Sequence, residues 1–139
     1  EEFSGAANGG VVSKENSTNG EVMVLPVVRT EDNEPMYLLL QSVPLGPKRA
    51  NVGIYYKELA SMDDYIDVET LAENWDGVKQ VTTLNSAYST MAWQRDNRLG
   101  FLYEEETHGA STLAYGGYTI VYECFDVETL TNGKYTYRK

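Results

Sequence analysis

Most of the chain is cut into short runs of β-branched, aromatic and aliphatic residues, each closed by a polar or Gly/Pro-rich break. EVMVLPVV (21–28) is closed by RTEDNEP, MYLLLQSV (36–43) by PLGPKRA, and NVGIYYKEL (51–59) comes next. Runs this short, rich in Val, Ile and Tyr, read as strands joined by turns. The same pattern returns in VKQVTTL (78–84), AYSTMAWQ (87–94), RLGFLYEE (98–105) and YGGYTIVYECF (115–125), with RDN as turn chemistry between the second and third of these. DVETLTNGKYTY (126–137) reads as a short helical turn and a closing extended tail. The steps are roughly ten residues long, as in antiparallel meanders of sandwiches, barrels or propellers. An all-β fold is expected.

Two stretches break the pattern. Residues 1–20, rich in Gly, Asn and Ser, read as loop with one short strand at Gly10–Ser13. In SMDDYIDVETLAENWDG (61–77), Tyr65, Val68, Leu71 and Trp75 recur at helical spacing, so a short helix or irregular excursion is expected there. No 20–50 residue repeat and no linker divides the chain, so residues 1–139 are taken as one unit. That length allows a real hydrophobic core.

Composition removes several function classes. The formal charge is -10, which disfavours a nucleic-acid backbone as partner. It leaves an anionic small substrate open, because a few placed arginines override a global charge. Cys124 is the single cysteine, so neither an internal disulfide nor a cysteine-based metal site is expected. His108 has no ligand pattern around it. No metal or other cofactor is expected. No apolar run is long enough to span a membrane as a helix. The chain opens at EEFSGAANGG, without methionine or a visible signal peptide, and reads as the middle of a longer protein. Asn16-Ser17-Thr18 is a glycosylation sequon by pattern.

Three residues stand out chemically. Arg49 follows a stiff Pro-Gly-Pro loop and lies just before a strand; it is either a solvated arginine or one held in place for an anion. Tyr88 heads a strand after Asn85-Ser86-Ala87, and is either a packing tyrosine or a working hydroxyl. Glu104 ends the apolar run LGFLY, and by itself reads as a strand-end carboxylate in water, part of the Glu104-Glu105-Glu106 cluster. Trp93, Phe101, Leu102 and Val121 read as packing. Trp75 reads as packing or as an aromatic on a binding rim.

PLGPKRANVGIYYKEL, SAYSTMAWQRDNRLGFLYEEE and YTIVYECFDVETLTNGKY, taken in order, resemble the C-terminal part of a bacterial exo-α-sialidase (neuraminidase) catalytic domain. The opening GAANGGVV is similar to that family's asparagine-glycine segment, and residues 86–104 carry the most specific motif. The resemblance implies a six-bladed β-propeller, of which this chain would supply about two blades plus the closing segment. It implies a retaining glycoside hydrolase that releases terminal sialic acid from sialylated glycans. In this carry-over Tyr88 is the nucleophile, Arg49 is one of three arginines clamping the sugar carboxylate, and Glu104 orients another clamp arginine. The small Ser86-Ala87 approach would leave room for the sugar.

The other two arginines, the aspartic acid that protonates the leaving group and the glutamate that activates Tyr88 would lie upstream of residue 1. The upstream part of the same propeller would then be a partner of this chain, which would be inactive alone. The family's Asp-box, S-x-D-x-G-x-T-W, is missing, and residues 60–77 stand where one might fall. A secreted, periplasmic or cell-surface bacterial location follows from the same resemblance. Three other readings remain open: a non-catalytic sialic-acid or glycan-binding propeller, a secreted β-sandwich binding module, and an intramolecular trans-sialidase sharing the same residues.

Overall fold

The computed structural model describes residues 18, 20–61, 67–71, 74–107 and 117–139. The proposed strand at Gly10–Ser13, Tyr65, His108 and all but Thr18 of the sequon lie outside them. The described chain forms two antiparallel sheets, one of them curled into a half-barrel, so the fold is all-β. The first sheet holds β1 (Val22–Arg29), β2 (Pro35–Pro44), β3 (Val52–Leu59) and β4 (Gly77–Gln80) as a meander. The second is the meander of β5 (Ser86–Trp93), β6 (Leu99–Glu106) and β7 (Tyr118–Phe125). After β7 come α2 (Val127–Thr131) and β8 (Tyr135–Tyr137), preceded in the chain by α1 (Val68–Leu71) between β3 and β4. β8 turns back to pair with β1, giving the order β4-β3-β2-β1-β8.

Turn chemistry sets the hairpins. Between β1 and β2, Asn33 takes the left-handed conformation (φ 59°) and its N–H donates to Arg29 O at 2.9 Å. Between β5 and β6, Asn97 (φ 61°) does the same work, with Gln94 N–H donating to Arg98 O at 2.8 Å. Asparagine tolerates this backbone region better than other side chains with a Cβ. Pro26 sits inside β1 without a ladder donor. Its carbonyl accepts from Arg138 N–H at 3.0 Å, just past the end of β8.

The two sheets face each other across one core. Leu38, Leu40, Val52 and Ile54 supply one side, Leu99 and Phe101 the other. Each such side chain taken from water contributes about 1.5–3 kcal/mol. Phe101 stacks on Tyr103 with ring centroids 5.3 Å apart. α2 closes one end with Val127 and Leu130. Its first turn is capped by Asp126, whose carboxylate accepts from Thr129 N at 2.7 Å, and it stops at Asn132 in the left-handed region.

The strand readings of the sequence hold, with shifted edges. VKQVTTL stops being strand at Gln80, because the N–H groups of Val81 and Thr82 both turn to Val52 O. The excursion at 61–77 contains the short α1, and Trp75 packs its ring 5.5 Å from that of Tyr55. Leu102 does not pack inward. Period-two alternation points it away from Phe101, onto the outer face of the second sheet.

That outer face is apolar and open. Leu102, Tyr118, Ile120 and Tyr122 are all exposed there, Ile120 at 65%. On the first sheet Val22, Val24 and Val78 are exposed as well. Gln41, on the opposite face of β2 from Leu40, has a buried Oε1 that accepts no hydrogen bond among the described residues.

Candidate functional site

Arg49, Tyr88 and Glu104 come from three separate elements and meet at one end of the molecule. Arg49 belongs to the β2–β3 loop. Three left-handed residues, Gly46, Lys48 and Asn51, fold that loop tightly. Leu45 N–H donates to Asn51 O at 3.0 Å and Gly46 N–H to Ala50 O at 3.1 Å. The loop is then tied to the start of β5, since Asn51 N–H reaches Leu84 O at 2.9 Å and Ala50 bridges Asn85.

Tyr88 lies in an irregular start of β5. Ser86 pairs with Glu105 and Ser89 with Tyr103, so three steps on β5 span two on β6. This is a β-bulge with one extra residue. It buries two consecutive small residues, Ser86 and Ala87, and turns Tyr88 outward at 42% exposure. The expectation that Ser86-Ala87 leaves room for a sugar is therefore corrected. Both residues are enclosed, and the open space lies beyond the tyrosine.

The Arg49 guanidinium carbon sits over the Tyr88 ring, 5.5 Å from its centroid. On the outer face beside Tyr88 is a shallow groove of about 140 Å³, lined by Thr90, Leu102, Glu104 and Ile120. Glu104 faces the bulge across β6 and pairs in the backbone with Ile120 of β7. Its two neighbours are satisfied: Glu105 accepts from the Thr82 hydroxyl at 2.8 Å and Glu106 from Asn85 Nδ2 at 2.7 Å. Glu104 and the Tyr88 hydroxyl have no hydrogen-bond partner among the described residues. A cation and an aromatic hydroxyl are thus held together, with an uncommitted carboxylate across the groove. Such a set suits an anionic or polyhydroxylated ligand.

At the opposite end of the sheets lies a second, larger cleft of about 460 Å³. There Arg29 pairs with Asp32 and, at 2.9 Å, with Glu58, whose Oε1 also accepts from Tyr135 Oη at 2.6 Å. Burial and the nearby Glu58 carboxylate push the Tyr135 phenol well above the ordinary tyrosine value. The charged and phenolic groups of this network satisfy one another, which marks it as structural. Among the described residues no group of three His, Cys, Asp or Glu side chains is placed to hold a metal ion. No described helix is long and apolar enough to cross a membrane.

The sequence reading took Ser86 only as a small residue beside the sugar and passed over Ser89, Ser42 and Glu21, whose hydrogen bonds connect β5 to the first sheet. Their only signal was polarity at positions where strand alternation asks for apolar side chains. No protein-family model matches the chain, and no curated protein sequence matches it.

Proposed function

We propose that this chain is the C-terminal part of a sialidase β-propeller, about two blades and a closing segment, which releases terminal sialic acid from glycans with retention. The observation that carries the reading is the contact of Arg49 with the Tyr88 ring, with Glu104 across the adjoining groove. The fold lends further support. Two antiparallel meanders share one core, and the outward face of the second stays apolar and exposed, as a blade's would when its neighbour lies outside the chain.

In this reading Arg49 forks to the sugar carboxylate, and the fixed planar charge sets its orientation. The anomeric carbon carries that carboxylate, so an anionic nucleophile would be repelled as the oxocarbenium-like state forms. The neutral Tyr88 hydroxyl avoids the repulsion. A carboxylate from the upstream part removes its proton as Oη bonds to the anomeric carbon. The glycosidic oxygen leaves with a proton from an upstream acid. Water then attacks the anomeric carbon from the face the leaving group vacated, giving up a proton to the upstream acid, while the aryl glycosidic bond to Tyr88 Oη breaks and Oη takes its proton back from the upstream carboxylate, giving net retention. Glu104 holds another clamp arginine, also from upstream, by a charged hydrogen bond. Sialylated glycans are the substrates, outside the cytoplasm of a bacterium. An intramolecular trans-sialidase would use the same groups.

A binding-only propeller is the second reading. It is favoured by one observation: the Tyr88 hydroxyl lacks a carboxylate partner among the described residues. A fluorinated sialic acid that traps the glycosyl-enzyme separates the two. The longer polypeptide containing this chain is treated with it, the chain alone serving as control, and peptides are mapped by mass. A sialyl adduct on Tyr88 in the longer protein supports the hydrolase. Sugar binding with no adduct selects the binding propeller. Neither labelling nor binding overturns both.

A further inference from the structure

We propose that Ser86 and Ser89 are positioning residues that fix the bulge and thereby hold Tyr88 under Arg49. The inference rests on the reading of Tyr88 and Arg49 given above. A bulge adds a residue to a strand and with it a choice of where that residue points. Here both ends of the choice are pinned to the first sheet. Ser86 is fully buried. Its N–H donates to Arg49 O at 2.8 Å, its hydroxyl accepts from Val52 N at 2.8 Å, and the same hydroxyl donates to Leu84 O at 3.2 Å. One residue thus ties the arginine's own carbonyl, the first amide of β3 and the start of the tyrosine's strand together.

Ser89 pins the other end. Its hydroxyl donates to Ser42 Oγ at 2.9 Å, which also accepts from Glu21 N at 3.0 Å. The Glu21 carboxylate returns to β5, taking the Met91 N–H at 2.7 Å and the Thr90 hydroxyl. Buried hydroxyls cost stability unless paired. Both are paired across the gap between sheets, where an aliphatic side chain would have packed without any directional bond. Ala87 between them is buried, so Tyr88 is the one residue of the bulge that faces outward.

The two serines differ in a way that kinetics reads. Ser86 touches the Arg49 loop and the Tyr88 strand, whereas Ser89 holds only the strand. In the longer protein, Ser89→Ala is expected to lower kcat by about tenfold or more, since a 1 Å misplacement of a reacting group costs up to about 10²-fold. Its dissociation constant for free sialic acid should stay within about twofold of the parent's. Ser86→Ala should lower kcat similarly and also weaken sialic acid binding by about fivefold or more, because it keeps the backbone bond to Arg49 O but removes the hydroxyl bonds to Val52 N–H and Leu84 O that fix the Arg49 loop between β3 and β5. Active-site titration with the fluorinated inhibitor corrects for unfolded protein. If Ser86→Ala fails to fold, Ser86→Cys, which keeps a weak acceptor at the same place, takes the same test.

A separate readout uses the 139-residue chain. The nuclear Overhauser contact between the Tyr88 ring and the Arg49 side chain should weaken in both serine variants. A parent that neither binds nor labels sinks the sialidase reading, and this contact then decides the positioning role alone. Unchanged kinetics and binding per titrated site, or an unchanged Tyr88–Arg49 contact in both variants, overturns the inference.

Discussion

Replacing Tyr135 with phenylalanine removes one hydroxyl and keeps the ring in the core. That hydroxyl donates to Glu58 at 2.6 Å, in a pocket where the phenol is buried. A hydrogen bond to a charged acceptor contributes about 1.5–3 kcal/mol. The lower end applies, because Glu58 keeps both of its bonds to Arg29 and its side chain is 21% exposed. At neutral pH, Tyr135→Phe should therefore cost about 1.5 kcal/mol. At about 4 °C per kcal/mol for a chain of this size, Tm falls by about 6 °C.

The pH dependence tests the cause. In the unfolded chain the phenol titrates near its ordinary value of about 10, and in the folded chain well above it. The folded pKa is raised, so the stabilisation is whole below pH 10 and is lost as pH rises toward the folded value. Above pH 10 the wild type loses about 1.4 kcal/mol per pH unit through this one site, and the phenylalanine variant does not. The remaining tyrosines cancel in the comparison. Urea unfolding of both proteins at pH 8, 10 and 11 should show the gap shrink nearly to zero at the last. A gap of constant size across that range would show that Tyr135 is not a buried proton donor, and the argument would fail.

Three further outcomes are expected. Asp126→Ala should cost about 1 kcal/mol by uncapping α2. The Thr129 hydroxyl and N–H hold the Asp126 carboxyl below its ordinary 3.8, so the loss seen at pH 6 should vanish in urea melts as pH falls through that depressed value. Gly53→Ala should cost about 1–3 kcal/mol by overpacking, since a Cβ there would lie 2.7 Å from Lys79 O and 2.8 Å from Leu45 Cδ1; a neutral result by chemical denaturation would contradict that close approach. Ile120→Ser should change the stability of the isolated chain by less than about 0.5 kcal/mol. In the longer polypeptide the same change should cost about 2 kcal/mol or more, if a neighbouring blade covers that face; equal effects in both would argue against the propeller.

The strands were legible because short apolar runs met turn residues at regular steps, and Asn33 and Asn97 do adopt the backbone that turn chemistry asks for. Partners were less legible. Nothing local in KYTY says that β8 returns to β1, since strand pairing over that distance is set by the closed core and not by neighbours in sequence. Leu102 was misread because GFLY is apolar without alternation, and its face is decided only when Phe101 takes the core. The bulge was invisible for a related reason: nothing in Ser86-Ala87, a small polar residue followed by a small apolar one, says that both are buried in succession. No spacing rule connects Arg49 to Tyr88. In the sequence only the family resemblance linked them, and in the fold it is the backbone bonds of the β2–β3 loop to β5 that bring them together.

The return of β8 to β1 has a consequence for how the protein is made. During synthesis β1 leaves the ribosome ahead of β2 and can pair with it as soon as β2 follows, but its other edge waits for residues 135–137, made after nearly all the described chain. Until then a strand rich in valine offers unsatisfied amides and carbonyls to any passing strand. A chain stalled or cut before Lys134 would stay in that condition. Residues 135–137 thus act as a seal on β1, and their loss should show first as aggregation of nascent or truncated protein.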